Sequence, residues 1–203
     1  EENNINWSET LIEAGCKVFY GFDDLKTHSK VCLITSIMDN QLHYITQVGT
    51  GNYNESTSRL YTDLSFITAD QSIGQDANHF FKDMLVGVSD GQYGELINSP
   101  FLLKERVLAL MDAQIERARQ GLEASMLFKL NSMTDRDIID KLAEASQAGV
   151  EVDMIVRGIC CLLPGVPGKT DNIRIRSIVG RFLEHARVYA FGRGESAIVY
   201  ISS

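Results

Sequence analysis

The sequence predicts an α/β (α+β) protein with two mixed sheets, each flanked by helices. The chain has 203 residues, of which 44% are hydrophobic, so it can bury one large core or two small ones. Its first third contains short alternating and apolar runs that are typical of strands. Its second half contains an apolar run, a helical pattern and another apolar run in succession, which is the pattern of a β-α-β unit.

The first part of the sequence predicts a helix followed by a sheet with much antiparallel pairing. Helices are expected at residues 5–14 and 71–86, and strands at residues 17–20, 30–35, 42–48 and 64–68. The four residues MDNQ between the second and third strands predict a hairpin turn. The glycines of VSDGQYGEL then predict a boundary that divides the chain into domains 1–95 and 96–203.

The second part of the sequence predicts a β-α-β unit behind a leading helix. Helices are expected at residues 103–120 and 135–148, and strands at residues 125–130 and 150–156. Gly121 and Gly149 end the two helices, and Thr134 with Asp137 forms a capping box for the second helix. The two strands are therefore expected to be parallel neighbours.

Two polar residues follow the ends of these strands. Open α/β sheets bind ligands at the edge formed by the carboxyl ends of parallel strands, and we expect Asn131 and Arg157 to lie at that edge. Arg157 also opens the loop RGICCLLPGVPGK, whose glycines can expose backbone N–H groups. A loop of this kind can bind phosphate.

The charge of the chain is unevenly placed. The formal net charge of -8 argues against nonspecific nucleic-acid binding. Residues 157–193 nevertheless contain seven cations and only two anions, and six of the eleven arginines of the chain lie there. Arginine suits bidentate contact with phosphate oxygens, so this basic window predicts an anion site. A solvated basic edge is the alternative interpretation.

Composition also limits where the protein can act. No apolar run approaches the roughly 20 residues needed to span a bilayer, and the polar start EENNINWSET is unlike a signal peptide, so we expect a cytoplasmic protein. The four cysteines contain no C-x-x-C pair and are expected to be reduced core or loop thiols. The chain begins without Met and stops in AIVYISS, which predicts an unfinished strand and an excised piece of a longer protein.

Two short segments repeat one spacing. The first histidine segment, LKTHSKV (residues 25–31), and the second histidine segment, LEHARV (residues 183–188), each place a histidine two residues before a cation at the start of an apolar strand. Residues two apart in a strand face the same side, so Lys30 is expected beside His28 and Arg187 beside His185. Such pairs suit phosphoryl chemistry, because a neutral imidazole can attack phosphorus while a cation neutralises the transferring oxygens. His43 and His79 have no such neighbour and are assigned to packing or surface.

Three longer stretches resemble one family. They are ITQVGTGNYNESTSRLYTDLSFITA (45–69), NSMTDRDIIDKLAEASQAGVEVDMIVRGICCLLPG (131–165) and IRIRSIVGRFLEHARVY (173–189). They are similar to the C-terminal half of bacterial polyphosphate kinases, and the similarity covers the whole chain. The resemblance implies two domains related to the phospholipase D fold and a tunnel for ATP and polyphosphate.

The resemblance also implies roles for particular residues. His28 matches the histidine that is phosphorylated during transfer of the ATP γ-phosphate, and His185 matches a second histidine that contacts nucleotide and assists transfer. Tyr61 and Arg157 match residues of the nucleotide site. The candidates for a polyphosphate path come from the basic window and are Arg174, Arg176 and Arg181.

What the resemblance implies for the intact enzyme extends beyond these residues. Mg²⁺ is expected there, with ligands outside this chain. The substrates would be ATP or ADP and inorganic polyphosphate, without nucleic acid, and the full-length protein would be a homo-oligomer that can associate peripherally with a membrane. We expect this chain alone to have little activity, because positioning carries most of the catalysis.

The sequence departs from the phospholipase D motif H-x-K-x4-D. Thr35 and Gly192 stand where the motif has Asp, and Arg187 replaces the second Lys. This argues against a phospholipase or nuclease and leaves open which carboxylate orients each imidazole. Two other hypotheses are kept: a phosphodiesterase of the phospholipase D type, and a polyanion-binding module without catalysis.

Overall fold

The computed structural model describes residues 2–203, with side chains from Asn6 onward. The elements of its first part are α1 (Glu2–Glu13), β1 (Val31–Met38), β2 (Gln41–Gly49), α2 (Glu55–Ser58), β3 (Tyr61–Thr62), β4 (Ser65–Thr68) and α3 (Gln71–Val86). Strands β1, β2 and β4 form a sheet in that order, and both of its strand pairs are antiparallel. The antiparallel pairing is as predicted, but the expectation that this sheet is mixed is wrong, because its strands are joined as a hairpin and a short antiparallel return.

One predicted strand of this part is absent. Residues 17–20 form no strand, so that prediction is wrong. Four residues are too few for alternation to specify a pairing partner, and the two aromatic side chains of this run, Phe19 and Tyr20, stay exposed. The Tyr20 hydroxyl bonds to Ser8 at the helix instead.

The hairpin turn between β1 and β2 is confirmed. Met38 pairs with Gln41, and the two residues between them have positive φ, 50° at Asp39 and 60° at Asn40. Two left-handed residues in a two-residue loop match the right-handed twist of a hairpin, and Asp and Asn tolerate that conformation. The turn therefore sets the register of the strand that leads into residues 49–51.

Helix α3 covers one face of this sheet. Its N-cap Asp70 accepts hydrogen bonds from the backbone N–H groups of Ser72 and Ile73, and Gly87 ends the helix in the left-handed conformation. Gly74 faces Tyr44 of β2 so closely that a Cβ would overlap the tyrosine side chain. This close approach fixes α3 against the strand.

The second part forms a five-stranded sheet. Its elements are α4 (Leu103–Arg119), β5 (Ser125–Leu130), α5 (Arg136–Gln147), β6 (Glu151–Val156), β7 (Ile173–Arg176), β8 (Leu183–Glu184), β9 (Arg187–Phe191) and β10 (Ile198–Ser202). The sheet order is β10-β9-β5-β6-β7, with β5, β6 and β7 parallel and β9 and β10 antiparallel. The predicted β-α-β unit and the mixed α/β class are confirmed.

The main core lies between this sheet and helices α4 and α5. Its fully buried large side chains include Met111 and Ile115 of α4, Phe128 of β5, Leu142 of α5 and Phe191 of β9. This packing holds the carboxyl ends of β5, β6 and β7 at one edge, where the amino end of β9 also lies.

The predicted capping box of α5 is wrong in detail. The N-cap is Asp135, whose carboxylate accepts a hydrogen bond from the Ile138 N–H, and Thr134 precedes the cap. Asp135 also forms an ion pair with Lys104 of α4. The cap therefore also ties the two helices together.

A third, two-stranded sheet joins the two parts of the chain. Strand β3 pairs in parallel with β8, with Tyr61 opposite Leu183 and Thr62 opposite Glu184. The Leu183 N–H donates to the Leu60 carbonyl at 2.9 Å. This pairing brings together segments that are about 120 residues apart in sequence.

Three further features were expected from the sequence. All four cysteines are free and exposed, so they are surface thiols and not core residues. None of the helices within residues 2–203 combines the length and the apolar character that a bilayer span requires. The division into domains 1–95 and 96–203 stays a prediction.

Candidate active site

The two histidine segments meet in the structure. The ring centroids of His28 and His185 are 6.5 Å apart, and the planes are inclined by 47°. His28 is partly buried and His185 is 7% exposed. His28 lies three residues before β1, and His185 lies between β8, which pairs with β3, and β9 of the five-stranded sheet.

The first pair is His28 with Lys30. The ammonium of Lys30, a residue that is only 6% exposed, lies 2.9 Å from His28 Nδ1 and donates to the His28 carbonyl at 2.7 Å. Burial, followed by the positive charges of Lys30 and Arg187, lowers the pKa of His28 below its ordinary 6.5. Burial also lowers the pKa of Lys30. His28 is therefore a neutral imidazole near pH 7.

The second pair is His185 with Arg187, and it repeats the geometry of the first. Arg187 Nη1 donates to the His185 carbonyl at 3.0 Å and lies 3.5 Å from His185 Nε2. Burial and the nearby charge of Arg157 lower the pKa of Arg187. In each segment the cation two residues on thus folds back over its histidine, as the shared spacing predicts.

A carboxylate that the sequence did not single out contacts His185. Asp63 Oδ1 lies 2.9 Å from His185 Nδ1, and the two side chains are 21% and 9% exposed. An ionised carboxylate only accepts hydrogen bonds, so the contact requires a proton on Nδ1 and leaves Nε2 without one in the neutral ring. Asp63 stands two residues after Tyr61 in one extended segment, and this period of two is the signal that could have found it.

Among the side chains that the structure describes, no carboxylate forms a hydrogen bond with His28. Its Nδ1 lies 3.0 Å from the Ser203 hydroxyl, which also receives a hydrogen bond from Lys30 at 3.1 Å and donates to the His28 carbonyl at 3.1 Å. Each histidine is therefore held by a side chain from the other part of the chain: Ser203 for His28 and Asp63 for His185.

The two residues that the resemblance places at a nucleotide site lie at different points around this pair. The Tyr61 ring is 4.9 Å from the His185 ring, inclined by 31°. Arg157 Nε donates to Asn131 Oδ1 at 3.2 Å, which puts both residues at the predicted edge of the sheet. Because its charge acts on Arg187, Arg157 extends the cationic surface beside His185.

Glu184 joins the two parts of the chain directly beside His185. Its carboxylate forms an ion pair with Lys129 of β5 at 2.8 Å and accepts a hydrogen bond from the Thr62 hydroxyl at 2.8 Å. These two bonds lower the pKa of Glu184. Glu184 is therefore a bridge between the central sheet and the segment that carries Tyr61 and Asp63.

The three arginines of the predicted polyphosphate path are exposed. Arg174 forms a bidentate pair with Asp153, with both distances 2.8 Å. Arg176 is exposed at the end of β7, and the Arg181 guanidinium lies 5.5 Å from the Phe182 ring centre. The fork of Arg174 is already occupied, while Arg176 and Arg181 remain on the surface.

The glycine-containing loop after Arg157 does not offer its glycine N–H groups to a ligand. Gly158 donates to the Asn131 carbonyl, Gly165 to the Thr170 carbonyl and Gly168 to the Asp171 carboxylate. The expectation that these donors are free to bind phosphate is therefore wrong. Hydrogen bonds to Asn131 and to residues 170–171 already occupy these N–H groups.

A divalent metal does not fit the residues that the structure describes. Within that part of the chain, no group of three or more His, Cys, Asp or Glu side chains could hold a metal ion. The two carboxylates nearest the histidines are engaged, Asp63 with His185 and Thr50, and Glu184 with Lys129 and Thr62.

The arrangement as a whole has the parts needed for chemistry at phosphorus. A neutral imidazole can act as a nucleophile, a second imidazole with a fixed tautomer can exchange a proton, and two partly buried cations can balance phosphate charge. A mixed α/β fold with paired imidazoles of this kind, one from each part of the chain, defines a class of site that suits phosphoryl chemistry.

Comparison with known proteins identifies the family to which the chain belongs. Residues 1–90 match the family model of polyphosphate kinase C-terminal domain 1, and residues 96–203 match that of C-terminal domain 2. The chain belongs to the polyphosphate kinase family. The expected family and its mixed α/β fold are thereby confirmed.

Individual relatives of the chain agree with this family assignment. The chain is 49% identical to a polyphosphate kinase of Staphylococcus saprophyticus and 47% identical to one of Erythrobacter litoralis, over all of its own length. It spans 28% and 29% of those proteins. A crystal structure of polyphosphate kinase from Porphyromonas gingivalis matches with a TM-score of 0.86 and 35% identity, covering 99% of this chain and 33% of that one.

Proposed function

We propose that this chain is part of an enzyme that reversibly transfers the γ-phosphate of ATP to inorganic polyphosphate through a phosphohistidine at His28. The observation that carries the proposal is the meeting of His28 and His185, 6.5 Å apart, each with its own cation. Membership of the polyphosphate kinase family supports ATP and polyphosphate as the substrates.

His28 is the proposed nucleophile because its environment favours the neutral ring. Burial and three nearby cations lower its pKa, so its lone pair is available at neutral pH. Nδ1 lies 3.0 Å from the Ser203 hydroxyl and 2.9 Å from the Lys30 ammonium, whereas Nε2 lies 3.3 Å from that ammonium and is the nitrogen proposed to attack phosphorus. A bond from Nε2 to the γ-phosphorus would form as the bond from phosphorus to the bridging oxygen breaks, and ADP would leave. A terminal oxygen of polyphosphate would then displace His28.

His185 is the proposed general acid and base. Asp63 holds the proton on Nδ1, so Nε2 faces the cation Arg187 and is the ring nitrogen that can exchange a proton with phosphate oxygens. Tyr61, whose ring lies against that of His185, and Arg157 are the proposed nucleotide contacts. Lys30 and Arg187 would balance charge on the transferring group.

Other expectations for the intact enzyme stay proposals. They are Mg²⁺ with ligands outside this chain, a polyphosphate path along Arg174, Arg176 and Arg181, a homo-oligomer, and action in the cytoplasm without nucleic acid. The Arg174 contribution would require polyphosphate to compete with Asp153. Because the chain spans 28% of a full relative, we expect it to have little transfer activity alone.

Labelling with ATP tests the nucleophile. The protein expressed from its full coding sequence and incubated with γ-labelled ATP should carry acid-labile, base-stable phosphate. His28→Ala should abolish this label, because no other neutral imidazole occupies the same position. His79→Ala is the matched control and should keep it, since the His79 side chain is 59% exposed and lies outside the site.

Label that survives in His28→Ala would refute His28 as the nucleophile. Turnover of a chromogenic phosphodiester without ATP, lost in either histidine variant, would favour the phosphodiesterase hypothesis instead. Salt-sensitive polyphosphate binding that survives loss of both histidines but weakens in Arg174→Ala and Arg176→Ala would favour a binding module.

A further inference from the structure

Thr50 lies at the end of β2, within the tripeptide Gly49-Thr50-Gly51, and its side chain is fully buried. Its hydroxyl donates to Asp63 Oδ1 at 2.8 Å and accepts from the Leu64 N–H at 2.9 Å. The Thr50 N–H in turn donates to the Leu64 carbonyl at 3.0 Å. The hydroxyl is therefore oriented by one bond from Leu64 while its only proton points at the carboxylate.

Gly51 bounds the same carboxylate from another side. A Cβ on Gly51 would lie 2.5 Å from Asp63 Oδ2, 2.7 Å from Cγ and 2.9 Å from Cβ. Real Cβ atoms do not approach other atoms this closely, so any side chain at position 51 would displace Asp63. The backbone at Gly51 thus leaves room for the carboxylate, and the Thr50 hydroxyl fixes it there.

The oxygen that Thr50 holds is the one that faces the histidine. Oδ1 of Asp63 accepts from Thr50 and lies 2.9 Å from His185 Nδ1. We propose that Thr50 is a positioning residue for His185: with Gly51 it fixes the Asp63 carboxylate so that the neutral imidazole keeps its proton on Nδ1 and presents Nε2 to phosphate. This inference rests on the proposed function of His185.

Strand β2, which leads into Thr50, supplies an internal control. Thr46 is also fully buried, but its hydroxyl has no hydrogen-bond partner among the residues that the structure describes. Thr46→Val in β2 and Thr50→Val just after β2 remove the same atom at equal burial. A difference between them in the state of His185 would therefore come from the bonds of the Thr50 hydroxyl to Asp63 and Leu64, and not from the loss of a buried hydroxyl in general.

The test reads the tautomer of His185 by ¹⁵N NMR of the histidine-labelled chain at a pH where the ring is neutral. In the wild type, Thr50→Ser and Thr46→Val, Nε2 should resonate as the unprotonated nitrogen. In Thr50→Val it should shift towards the average of the two tautomers. In the protein expressed from its full coding sequence, Thr50→Val should lower kcat by about tenfold, with KM for ATP nearly unchanged, and Thr50→Ser should restore kcat.

A Thr50→Val protein that keeps both the wild-type tautomer and the wild-type kcat would overturn the proposal. If Thr50→Val fails to fold, Gly51→Ala provides the test, because it displaces the Asp63 carboxylate and keeps the Thr50 hydroxyl. A shifted tautomer of His185 in Gly51→Ala supports the proposal, and a wild-type tautomer overturns it. The NMR result does not depend on turnover. A wild type that forms no phosphoenzyme refutes the proposed function, while the tautomer still tests whether Thr50 positions His185.

Discussion

The two histidine segments share one spacing but hold their imidazoles in different ways. In both, the cation two residues on bonds back to the carbonyl of the histidine. Around Nδ1 they differ: His28 meets the neutral hydroxyl of Ser203, and His185 meets the carboxylate of Asp63. When two similar side chains have environments that differ in this way, they can take different chemical roles. The ring without an anion suits attack on phosphorus, and the ring with one suits proton exchange.

The comparison also shows why neither part of the chain contains a finished site. Asp63, from the first part, orients a histidine of the second, and Ser203, from the second, contacts a histidine of the first. The pairing of β3 with β8 and the bridge made by Glu184 hold these contacts in register. Relative movement of the two parts would therefore disturb both imidazoles at once.

The largest effect is expected from Asp63→Asn. The amide would present either an N–H donor or a weaker acceptor to Nδ1, so the neutral His185 ring would lose its fixed tautomer. In a serine-protease triad the corresponding change costs about 10⁴-fold in kcat, and here we expect a loss of about 10³-fold. The measurement is kcat for ATP-dependent polyphosphate synthesis by the protein expressed from its full coding sequence.

Asp112→Asn is the matched control for this change. Asp112 pairs with Lys141 between α4 and α5 and its side chain is 58% exposed, so loss of its charge should leave kcat close to that of the wild type. If Asp63→Asn retains wild-type activity, His185 needs no carboxylate, and the distinction between the two histidines fails.

A second prediction concerns Lys30 and the pH dependence of His28. The rate of phosphoenzyme formation needs the neutral ring, so its acid limb should fall below 6.5, because the pKa of His28 is lowered, first by burial and next by Lys30. Lys30→Met removes a positive charge, which raises the pKa of His28 towards 6.5 and moves the acid limb up. It should also slow transfer by about 10²-fold at neutral pH, since a buried cation beside the phosphate is lost.

Lys26→Met provides the comparison for that shift. Lys26 also lowers the pKa of His28, but less than Lys30 does, so its removal should move the acid limb in the same direction by a smaller amount. An acid limb that moves down in Lys30→Met would mean that the ammonium does not act on His28 through its charge.

Local patterns were enough to predict most of the fold. Helix α3 and strand β5 occupy the predicted residues, because apolar spacing and caps are encoded within each segment. The two-residue strands β3 and β8 were not predicted, since their pairing depends on segments far apart in sequence. The run at residues 17–20 has three residues typical of strands after Lys17 but forms no strand.

The candidate site was also predictable in part from local sequence patterns. The spacing of each histidine and cation is local, so both pairs could be expected from the sequence. Asp63 stands two residues after Tyr61, which could have marked it as a candidate, but its contact with His185, 122 residues away, depends on the tertiary structure. The role of Thr50 is even harder to predict from the sequence, because Thr50 acts on His185 only through Asp63. Contacts of this kind depend on how β2, β3 and β8 are assembled.

The smallest effect is expected from Ser203→Ala, which is the counterpart of Asp63→Asn at the other histidine. The hydroxyl makes neutral hydrogen bonds, except for the one from Lys30, and a bond of that kind contributes about 1 kcal/mol. If the whole contribution acts on the transition state, phosphoenzyme formation slows by roughly fivefold. Ser202→Ala, one residue earlier in β10, is the control and should have no effect. If Ser203→Ala lowers the rate as much as Asp63→Asn does, both imidazoles need a fixed tautomer to the same degree. The roles of His28 and His185 could then not be assigned from the difference between a hydroxyl and a carboxylate.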